Sequence, residues 1–169
     1  DRLKPFFPAM KPEWTAKSRL PGGDIADADF ERFLSSVRER HPWLPASLAN
    51  HYCRLYGTRA AEVLKGAENL ADLGREFGSG FYEREALYLM QHEWARAPED
   101  ILERRTKHGL RMGAAQRKAF ADWMAARQAK AAERYEALAQ RIERHRDPQR
   151  PGHLRVGAQV YDVHELAGG

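Results

Sequence analysis

The sequence contains a single cysteine, Cys53, among its 169 residues, and this excludes a framework of internal disulfide bonds. It has no run of the roughly 18 apolar residues that a membrane-spanning helix needs, and the opening DRLKPFFPAM lacks the apolar core of a secretory signal. The scarcity of cysteine suits a reducing compartment, although exported proteins without disulfides share it. The length and the 43% hydrophobic content fit one globular domain.

The sequence also lacks the glycine-rich loop of a dinucleotide-binding fold. Gly74, Gly78 and Gly80 follow no predicted strand, whereas such a loop lies between a strand and a helix. Helix ends and tight turns account for these glycines. No serine lies in a nucleophile motif, and we interpret Cys53 as a buried small side chain. The chain is therefore predicted to carry no catalytic and no cofactor-binding residue.

His92 and Glu93 resemble the start of a zinc-protease motif. That motif requires a second histidine four residues after the first, so that both imidazoles share one helix face, and Arg96 occupies that position. We therefore predict no metal site. His92 and Glu93 are interpreted as residues of a helix surface or of a domain contact.

Residues 1–28 include PFFPAMKPEW and RLPGGDI, which form neither a regular helix nor a central strand because each proline fixes φ and removes a donor. Aromatic side chains such as Trp14 are unusual in a free polar linker. We interpret the segment as an extended, ordered connector between two bodies. Because DRLKPFF reads like the last turn of a helix that begins upstream, we expect the chain to be part of a larger protein.

From residue 29 onward the apolar residues recur at helical spacing, and no useful stretch between 29 and 145 alternates with period two. The pattern predicts a first helix capped by Asp27 or Asp29, and further helices that follow Pro45, Thr58, Gly80, Pro98 and Gly113. The predicted fold is all-α, a compact orthogonal bundle of several helices after an extended proline-rich arm.

Changes in composition divide the chain into four segments. Residues 1–28 form the connector, 29–125 a helical domain, 126–147 the continuation of its last long helix, and 148–169 an irregular tail. HLRVGAQVYDVHEL, within this tail, fits either a small hairpin about its Gly-Ala dipeptide or an irregular segment docked on the helices. Both alternatives stay open at this point.

Positive charge is concentrated in one part of a chain whose formal net charge is only +4. Residues 101–130 hold eight lysines and arginines against two acids, and Arg104, Arg105, Lys107 and Arg111 lie close together. Three interpretations fit these cations: solvated residues at a helix C-terminus that interact favourably with the helix dipole, part of a nucleic-acid-binding surface, or a docking surface for an acidic or phosphate-bearing partner. We favour docking because arginine forks suit carboxylates in a protein interface.

The blocks MKPEWTAKSRLPGGDI, HYCRLYGTRAAEVL and DLGREFGSGFYEREALYLMQHEWARAPEDILERRTKHGL resemble the C-terminal region of the respiratory, FAD-dependent glycerol-3-phosphate dehydrogenases of bacteria. The resemblance covers about residues 1–125, and its HEWA…EDIL block is specific. Residues 126–169 depart from the family's pattern. No calcium-binding loop motif occurs in them, so calcium is not implied.

The resemblance implies an enzyme that oxidises sn-glycerol 3-phosphate to dihydroxyacetone phosphate, with FAD in an N-terminal domain and electrons passed to membrane quinone. This chain corresponds to the C-terminal cap domain, and we expect it to be inactive alone because the family's FAD and substrate motifs lie upstream. The implied location is cytoplasmic, with peripheral attachment to the inner membrane, and a homodimer is compatible with it. Oxidases that use oxygen share this cap domain, so the resemblance does not separate the two.

We expect the partner of this chain to be its own FAD-binding domain, and we predict no nucleic acid. The candidate contact residues are Lys11, Trp14, His92, Glu93, Arg104, Arg105, Lys107 and Arg111. The alternative is an autonomous helical module whose basic face binds nucleic acid or an anionic membrane. That alternative predicts salt-dependent binding to duplex DNA or flotation with acidic liposomes.

If the cations hold the two domains together, alanine at both Arg104 and Arg105 in the full-length enzyme should weaken FAD retention or activity. The measurements are the flavin content of the purified protein and its turnover. Wild-type values for both would contradict the docking hypothesis.

Overall fold

The computed structural model describes residues 4–9, 11, 14–15, 18–146, 153–156 and 159–162. The described part is mainly helical, which confirms the predicted fold class. The chain divides into two compact units, Asp1–Arg117 and Lys118–Gly169. The division between the units falls after Arg117, and the predicted domain boundary at residue 125 stays a prediction.

Five α-helices lie in the described part of the chain. They are α1 (Phe30–Arg40), α2 (Ala46–Tyr56), α3 (Ala60–Leu64), α4 (Glu83–His92) and α5 (Ala114–His145). Short 3₁₀ turns lie at Ala26–Ala28, Gly57–Arg59, Leu70–Leu73 and His108–Leu110. In the described residues, no helix combines the length and the apolar character needed to cross a bilayer.

The first two helices begin at the residues that the sequence indicates. The carboxylate of Asp29 accepts a hydrogen bond of 3.0 Å from the backbone N–H of Arg32 and so caps α1, a role that the sequence left open between Asp27 and Asp29. Pro45 precedes α2 with φ near −53°, a value that suits the start of a helix.

The core of the first unit is built from the inner faces of α2, α3 and α4. On α2, Leu48, Tyr52 and Tyr56 are buried as predicted, whereas Leu55 is 40% exposed and lies outside the predicted face. Burial raises the pKa of the Cys53 thiol, so this residue packs as a small apolar side chain. The largest fully buried side chains of this unit are Tyr52, Cys53, Val63, Leu64, Leu73, Phe81, Glu85, Leu89 and Ile101.

Two short strands interrupt the region that the sequence assigns to helices and turns. Strand β1 (Glu76–Gly78) pairs with β2 (Phe81–Tyr82) in an antiparallel ribbon. The ribbon buries Phe77 and Phe81, whose ring centroids are 5.9 Å apart. Strands of two or three residues are too short to show an alternating pattern, so the sequence gives no signal for them.

The C-terminal segment contains a hairpin. Strand β3 (His153–Val156) pairs antiparallel with β4 (Gln159–Asp162), and Val156 lies opposite Gln159. Of the two alternatives for this stretch, the structure has the hairpin, and the range 148–169 is therefore not irregular throughout. The rest of that predicted tail lies outside the described residues.

A π-helical segment, Asp100–Arg105, replaces the ordinary helix predicted between Pro98 and His108. The wider turn ends where the backbone N–H of Thr106 donates to the carbonyl of Ile101 at 2.9 Å, five residues back. Lys107 then adopts a left-handed conformation with φ of 61°. This change of direction brings His108, at the start of the following 3₁₀ turn, into the interior.

The N-terminal segment contacts the end of α2 through two glycines. Gly57 has φ of 54° and ψ of −134°, and a Cβ atom there would lie 1.8 Å from the carbonyl oxygen of Gly22. The same oxygen accepts a hydrogen bond of 3.0 Å from the N–H of Thr58. The Thr58 hydroxyl donates to Asp24, so the segment is tied to this corner by backbone and side chain.

Substitution of Gly57 by alanine should lower the free energy of unfolding by at least about 3 kcal/mol. Left-handed strain alone costs about 1–3 kcal/mol, and the clash with the Gly22 carbonyl adds to it. Gly66→Ala is the matched control, because Gly66 also has positive φ (71°) but open space around its Cβ position. Urea unfolding measures both variants, and equal losses would contradict a close approach at Gly57.

Candidate functional site

Two histidines and a glutamate meet inside the first unit. Glu85 is fully buried, His108 is 3% exposed, and the side chain of His51 is 21% exposed. His51 Nε2 lies 2.7 Å from Glu85 Oε1, and His108 Nε2 lies 3.8 Å from Glu85 Oε2. The two histidine Nε2 atoms are 3.4 Å apart. We call these three residues the His-Glu-His cluster.

Three separate elements position the cluster. His51 lies on α2, Glu85 lies in the first turn of α4, and His108 begins a 3₁₀ turn. The positive end of the α4 dipole favours the carboxylate of Glu85 at this position. Thr106 fixes the approach to His108, because its hydroxyl donates to the Ile101 carbonyl at 2.8 Å and accepts from the His108 N–H at 3.3 Å.

The carboxylate of Glu85 is ionised in this environment. Burial by itself would raise its pKa, but contacts with His108 and His51 and a hydrogen bond of 2.6 Å from the Tyr56 hydroxyl outweigh burial and lower it. An ionised carboxylate only accepts hydrogen bonds, so His51 Nε2 must carry the hydrogen in its 2.7 Å contact. Burial and then the Glu85 charge raise the pKa of Tyr56, which therefore stays a donor.

An open cavity of about 550 Å³ lies beside the cluster. His51 and His108 contribute to its wall, together with Arg54, Arg111 and polar residues such as Ser79. Ions and water can therefore reach the imidazole side of the cluster from solvent. Among the described residues, the buried Oε2 of Glu85 and the buried Nδ1 of His108 have no hydrogen-bond partner. The cluster thus keeps unused binding capacity next to an accessible space.

The sequence did not indicate this cluster. His51 and Glu85 are 34 positions apart and His51 and His108 are 57 positions apart, so no local spacing motif connects them. One signal was available in the helical period, because Glu85 falls among apolar positions of α4 that face the core. A charged residue on a buried helix face indicates an internal partner.

The predicted contact residues His92 and Glu93 lie at the end of α4, away from the cluster's hydrogen bonds. His92 is exposed and its ring stacks on Tyr88, with centroids 5.0 Å apart. The backbone carbonyl of Glu93 accepts a hydrogen bond of 2.5 Å from Arg105 Nη2. That bond joins the end of α4 to the π-helical segment. A role of these two residues in a domain contact stays a prediction.

The predicted cations divide into inward and outward groups. Arg105 is half-buried and also donates to the Asp100 carbonyl at 3.1 Å, so its guanidinium is engaged within the unit. Arg104 is 75% exposed and pairs with the Asp100 carboxylate at 2.9 Å. The exposed Lys107 donates to the Glu103 carbonyl at 2.5 Å. Arg104 and Lys107 therefore face solvent, whereas Arg105 acts as an internal tie.

The remaining predicted contact residues are also exposed. Arg111 lies at the cavity, where its carbonyl accepts a hydrogen bond of 3.1 Å from the Ser79 hydroxyl. Lys11 and Trp14 lie exposed in the N-terminal segment, and Trp14 is 64% exposed. The structure does not bring all eight predicted residues into one cluster, and their role toward another domain is a proposal.

The glycines considered for phosphate binding do not form a nucleotide loop. Gly74 follows a 3₁₀ turn, Gly78 is the last residue of β1, and Gly80 lies in the bend before β2. A phosphate cradle needs a strand that leads through the loop into a helix N-terminus. These three glycines therefore do not form such a cradle.

Comparison with known proteins relates this chain to one family. The family model described as the C-terminal domain of alpha-glycerophosphate oxidase matches residues 14–135. D-erythritol 1-phosphate dehydrogenase of Brucella abortus is 52% identical over 122 residues, which are 72% of this chain and 24% of that protein. Aerobic glycerol-3-phosphate dehydrogenase of Escherichia coli is 41% identical over 124 residues, 73% of this chain and 25% of that protein.

A third relative, glycerol-3-phosphate dehydrogenase of Pseudomonas aeruginosa, is 46% identical over 109 residues, 64% of this chain and 21% of that protein. The chain thus spans about a quarter of the length of the curated relatives it matches. The relatives are named as dehydrogenases, and the family-model match over residues 14–135 includes all three elements that carry the His-Glu-His cluster.

Removing the buried carboxylate should destabilise the first unit strongly. Glu85→Ala is expected to lower the free energy of unfolding by about 3–5 kcal/mol, because it leaves a cavity and an unpaired, buried Tyr56 hydroxyl. Glu85→Gln keeps the shape and should cost less than Glu85→Ala.

The control for this prediction is Glu62→Gln, since Glu62 is an exposed acid on α3 and its change should stay within about 0.5 kcal/mol. Urea denaturation followed by far-UV circular dichroism measures the differences. A Glu85→Ala variant as stable as Glu62→Gln would show that the cluster contributes nothing to the fold.

Proposed function

The chain belongs to the family of C-terminal domains of alpha-glycerophosphate oxidase, and from this premise we propose that the whole protein is an FAD-dependent dehydrogenase of sn-glycerol 3-phosphate. The observation that carries the proposal is the family match over residues 14–135, together with dehydrogenase relatives that extend well beyond it. The chain itself supplies the helical cap domain. We expect it to be inactive without the rest of the protein.

The proposed reaction converts the secondary alcohol of sn-glycerol 3-phosphate into the ketone of dihydroxyacetone phosphate. Two electrons and two protons leave the substrate. FAD, bound by the remainder of the protein, supplies the two-electron acceptor, and membrane quinone takes the electrons from there. Two of the relatives described above are named for glycerol 3-phosphate, which supports this substrate.

D-erythritol 1-phosphate is the second candidate substrate. The relative named for it shares 52% identity with this chain over 122 residues, against 41% for the Escherichia coli enzyme named for glycerol 3-phosphate. Both candidates are phosphate monoesters of short polyols. Substrate contacts are expected outside this chain, so the choice between the two substrates depends on the rest of the protein.

The role proposed for this domain is to dock on the FAD-binding domain. Trp94 supports that role, because it is 80% exposed and has a left-handed backbone with φ of 56°. The neighbouring backbone is fixed by Arg105, which donates to the Glu93 carbonyl, and by the Ala95 N–H, which donates to the Leu89 carbonyl at 3.2 Å. A large aromatic ring held exposed in a strained conformation is typical of a binding surface.

Arg105 donates to the carbonyl of Glu93, which precedes Trp94. The chain neighbour of Arg105, Arg104, faces solvent. Tryptophan and arginine are enriched among the residues that dominate protein interfaces. We therefore place Trp94, Arg104, Lys107 and Arg111 in the docking surface, and we assign Arg105 to supporting it from within the unit.

We also propose a cytoplasmic protein attached peripherally to the inner membrane, because its quinone acceptor is dissolved in the bilayer. A homodimer is compatible with this arrangement.

The proposed activity is tested with the full-length protein under anaerobic conditions. Addition of sn-glycerol 3-phosphate should bleach the flavin absorbance, with a kcat/KM at least about tenfold above that for D-erythritol 1-phosphate. A soluble quinone should restore the absorbance faster than oxygen does. Bleaching by the erythritol ester alone would select the second candidate, faster return with oxygen would indicate an oxidase, and no bleaching by either ester would contradict both substrates.

The docking surface predicts different outcomes for neighbouring cations. Trp94→Ala and Arg104→Ala in the full-length protein should lower FAD retention while the helical circular dichroism stays unchanged. Arg105→Ala should lower both FAD retention and the helical circular dichroism, because it removes the hydrogen bonds to the Glu93 and Asp100 carbonyls. The measurement is the flavin remaining after gel filtration.

Lys118→Ala is the matched control for Arg104→Ala. Lys118 is also 75% exposed and pairs with an acid four residues away, as Arg104 does. Equal flavin content in Arg104→Ala, Trp94→Ala, Lys118→Ala and the wild type would overturn the proposed surface.

A further inference from the structure

The His-Glu-His cluster has the donor atoms of a metal site. His51, Glu85 and His108 each offer one ligand atom, and these atoms all lie within 4.8 Å of one another. Two imidazole nitrogens and one carboxylate oxygen form a donor set known for zinc and other divalent transition ions. We propose that this cluster binds one divalent ion of the zinc class, a site that goes beyond the proposed dehydrogenase activity and does not depend on it.

The distance between the two imidazoles fits a shared ion. If an ion lay about 2.0–2.1 Å from both nitrogens, the N–ion–N angle would be about 110°, close to the tetrahedral value. The observed separation is 3.4 Å between His51 Nε2 and His108 Nε2. The two nitrogens therefore need little movement to share one ion.

The carboxylate completes the site after a small rotation. Oε1 lies 2.7 Å from His51 Nε2 and Oε2 lies 3.8 Å from His108 Nε2, so Glu85 is slightly too near one ring and too far from the other. A rotation of the carboxylate toward His108 equalises the two separations. Its Oε2 is buried and makes no hydrogen bond among the described residues, so it is available as a ligand.

The surroundings supply support and access. The Tyr56 hydroxyl donates to Glu85 Oε1 at 2.6 Å and orients the carboxylate, as residues around metal ligands commonly do. The cavity beside His51 and His108 gives an entry path and room for a water molecule at the fourth position. Imidazole donors favour zinc-class ions over magnesium or calcium, which prefer oxygen ligands.

A bound ion would link three elements of the fold through its ligands. It takes the place of the hydrogen that His51 Nε2 shares with Glu85, and that hydrogen moves to Nδ1 of the same ring, so His51 binds the ion as a neutral imidazole. The three ligands come from α2, α4 and the 3₁₀ turn at His108–Leu110, which are far apart in the chain. Binding to the folded state alone raises stability in proportion to the logarithm of the free ion concentration.

The test is zinc binding by the full-length protein after treatment with a chelator. The wild type should take up one equivalent of zinc, measured by mass spectrometry of the metal content, and its thermal midpoint should rise by about 5 °C or more in excess zinc. His51→Gln and His108→Gln should each weaken zinc affinity at least about tenfold in competition with a chromophoric chelator.

His92→Gln is the matched control, because His92 is an exposed histidine of the same unit and should leave zinc binding unchanged. Far-UV circular dichroism establishes that each variant is folded, and His51→Gln is the decisive one because its ring is the most exposed of the three ligands. Failure of the wild type to take up zinc, or equal uptake by His51→Gln and the wild type, would overturn the metal site. Flavin reduction by substrate is unaffected by either outcome.

Discussion

The buried carboxylate of Glu85 is the constraint on which the first unit depends. A carboxylate without partners costs several kcal/mol to remove from water, so a fully buried one must be surrounded by donors. The donors come from His51 and Tyr56 on α2, and His108 Nε2 lies 3.8 Å from Glu85 Oε2, on a turn more than 50 residues after α2. The buried Glu85 carboxylate thus requires α2, α4 and the turn at His108 to pack together, although these elements are far apart in the chain.

The same constraint extends to the N-terminal segment through the end of α2. Tyr56 donates to Glu85 and is followed at once by Gly57, where the chain reverses against the Gly22 backbone. A Cβ atom on Gly22 would lie 2.8 Å from the Tyr56 carbonyl oxygen. The segment therefore contacts the backbone of the very residue whose side chain holds the carboxylate, and the two interactions share one rigid corner.

Sequence patterns predicted the long helices of this fold, but they did not predict the features that depend on contacts between distant residues. Helices α1, α2 and α5 have long amphipathic stretches with recognisable ends at Asp29, Pro45 and Gly113, so their positions followed from periodicity. The strands β1 and β2 are too short for any period to appear, and the π-helical turn depends on tertiary contacts of Arg105 and Thr106. The His-Glu-His cluster was missed because only packing of distant elements joins its members.

A segment of the sequence that is rich in cations does not by itself form a surface rich in free positive charge. Residues 101–130 carry a local excess of cations, yet Arg105 serves backbone carbonyls and Arg117 contacts Glu103 at 2.7 Å and the Gly109 carbonyl. Arg104 is already paired with an acid. Affinity for a polyanion scales with the number of cations that can neutralise phosphates, and these contacts reduce that number. A few outward cations, together with an exposed tryptophan, suit docking on a protein better than binding of a nucleic acid.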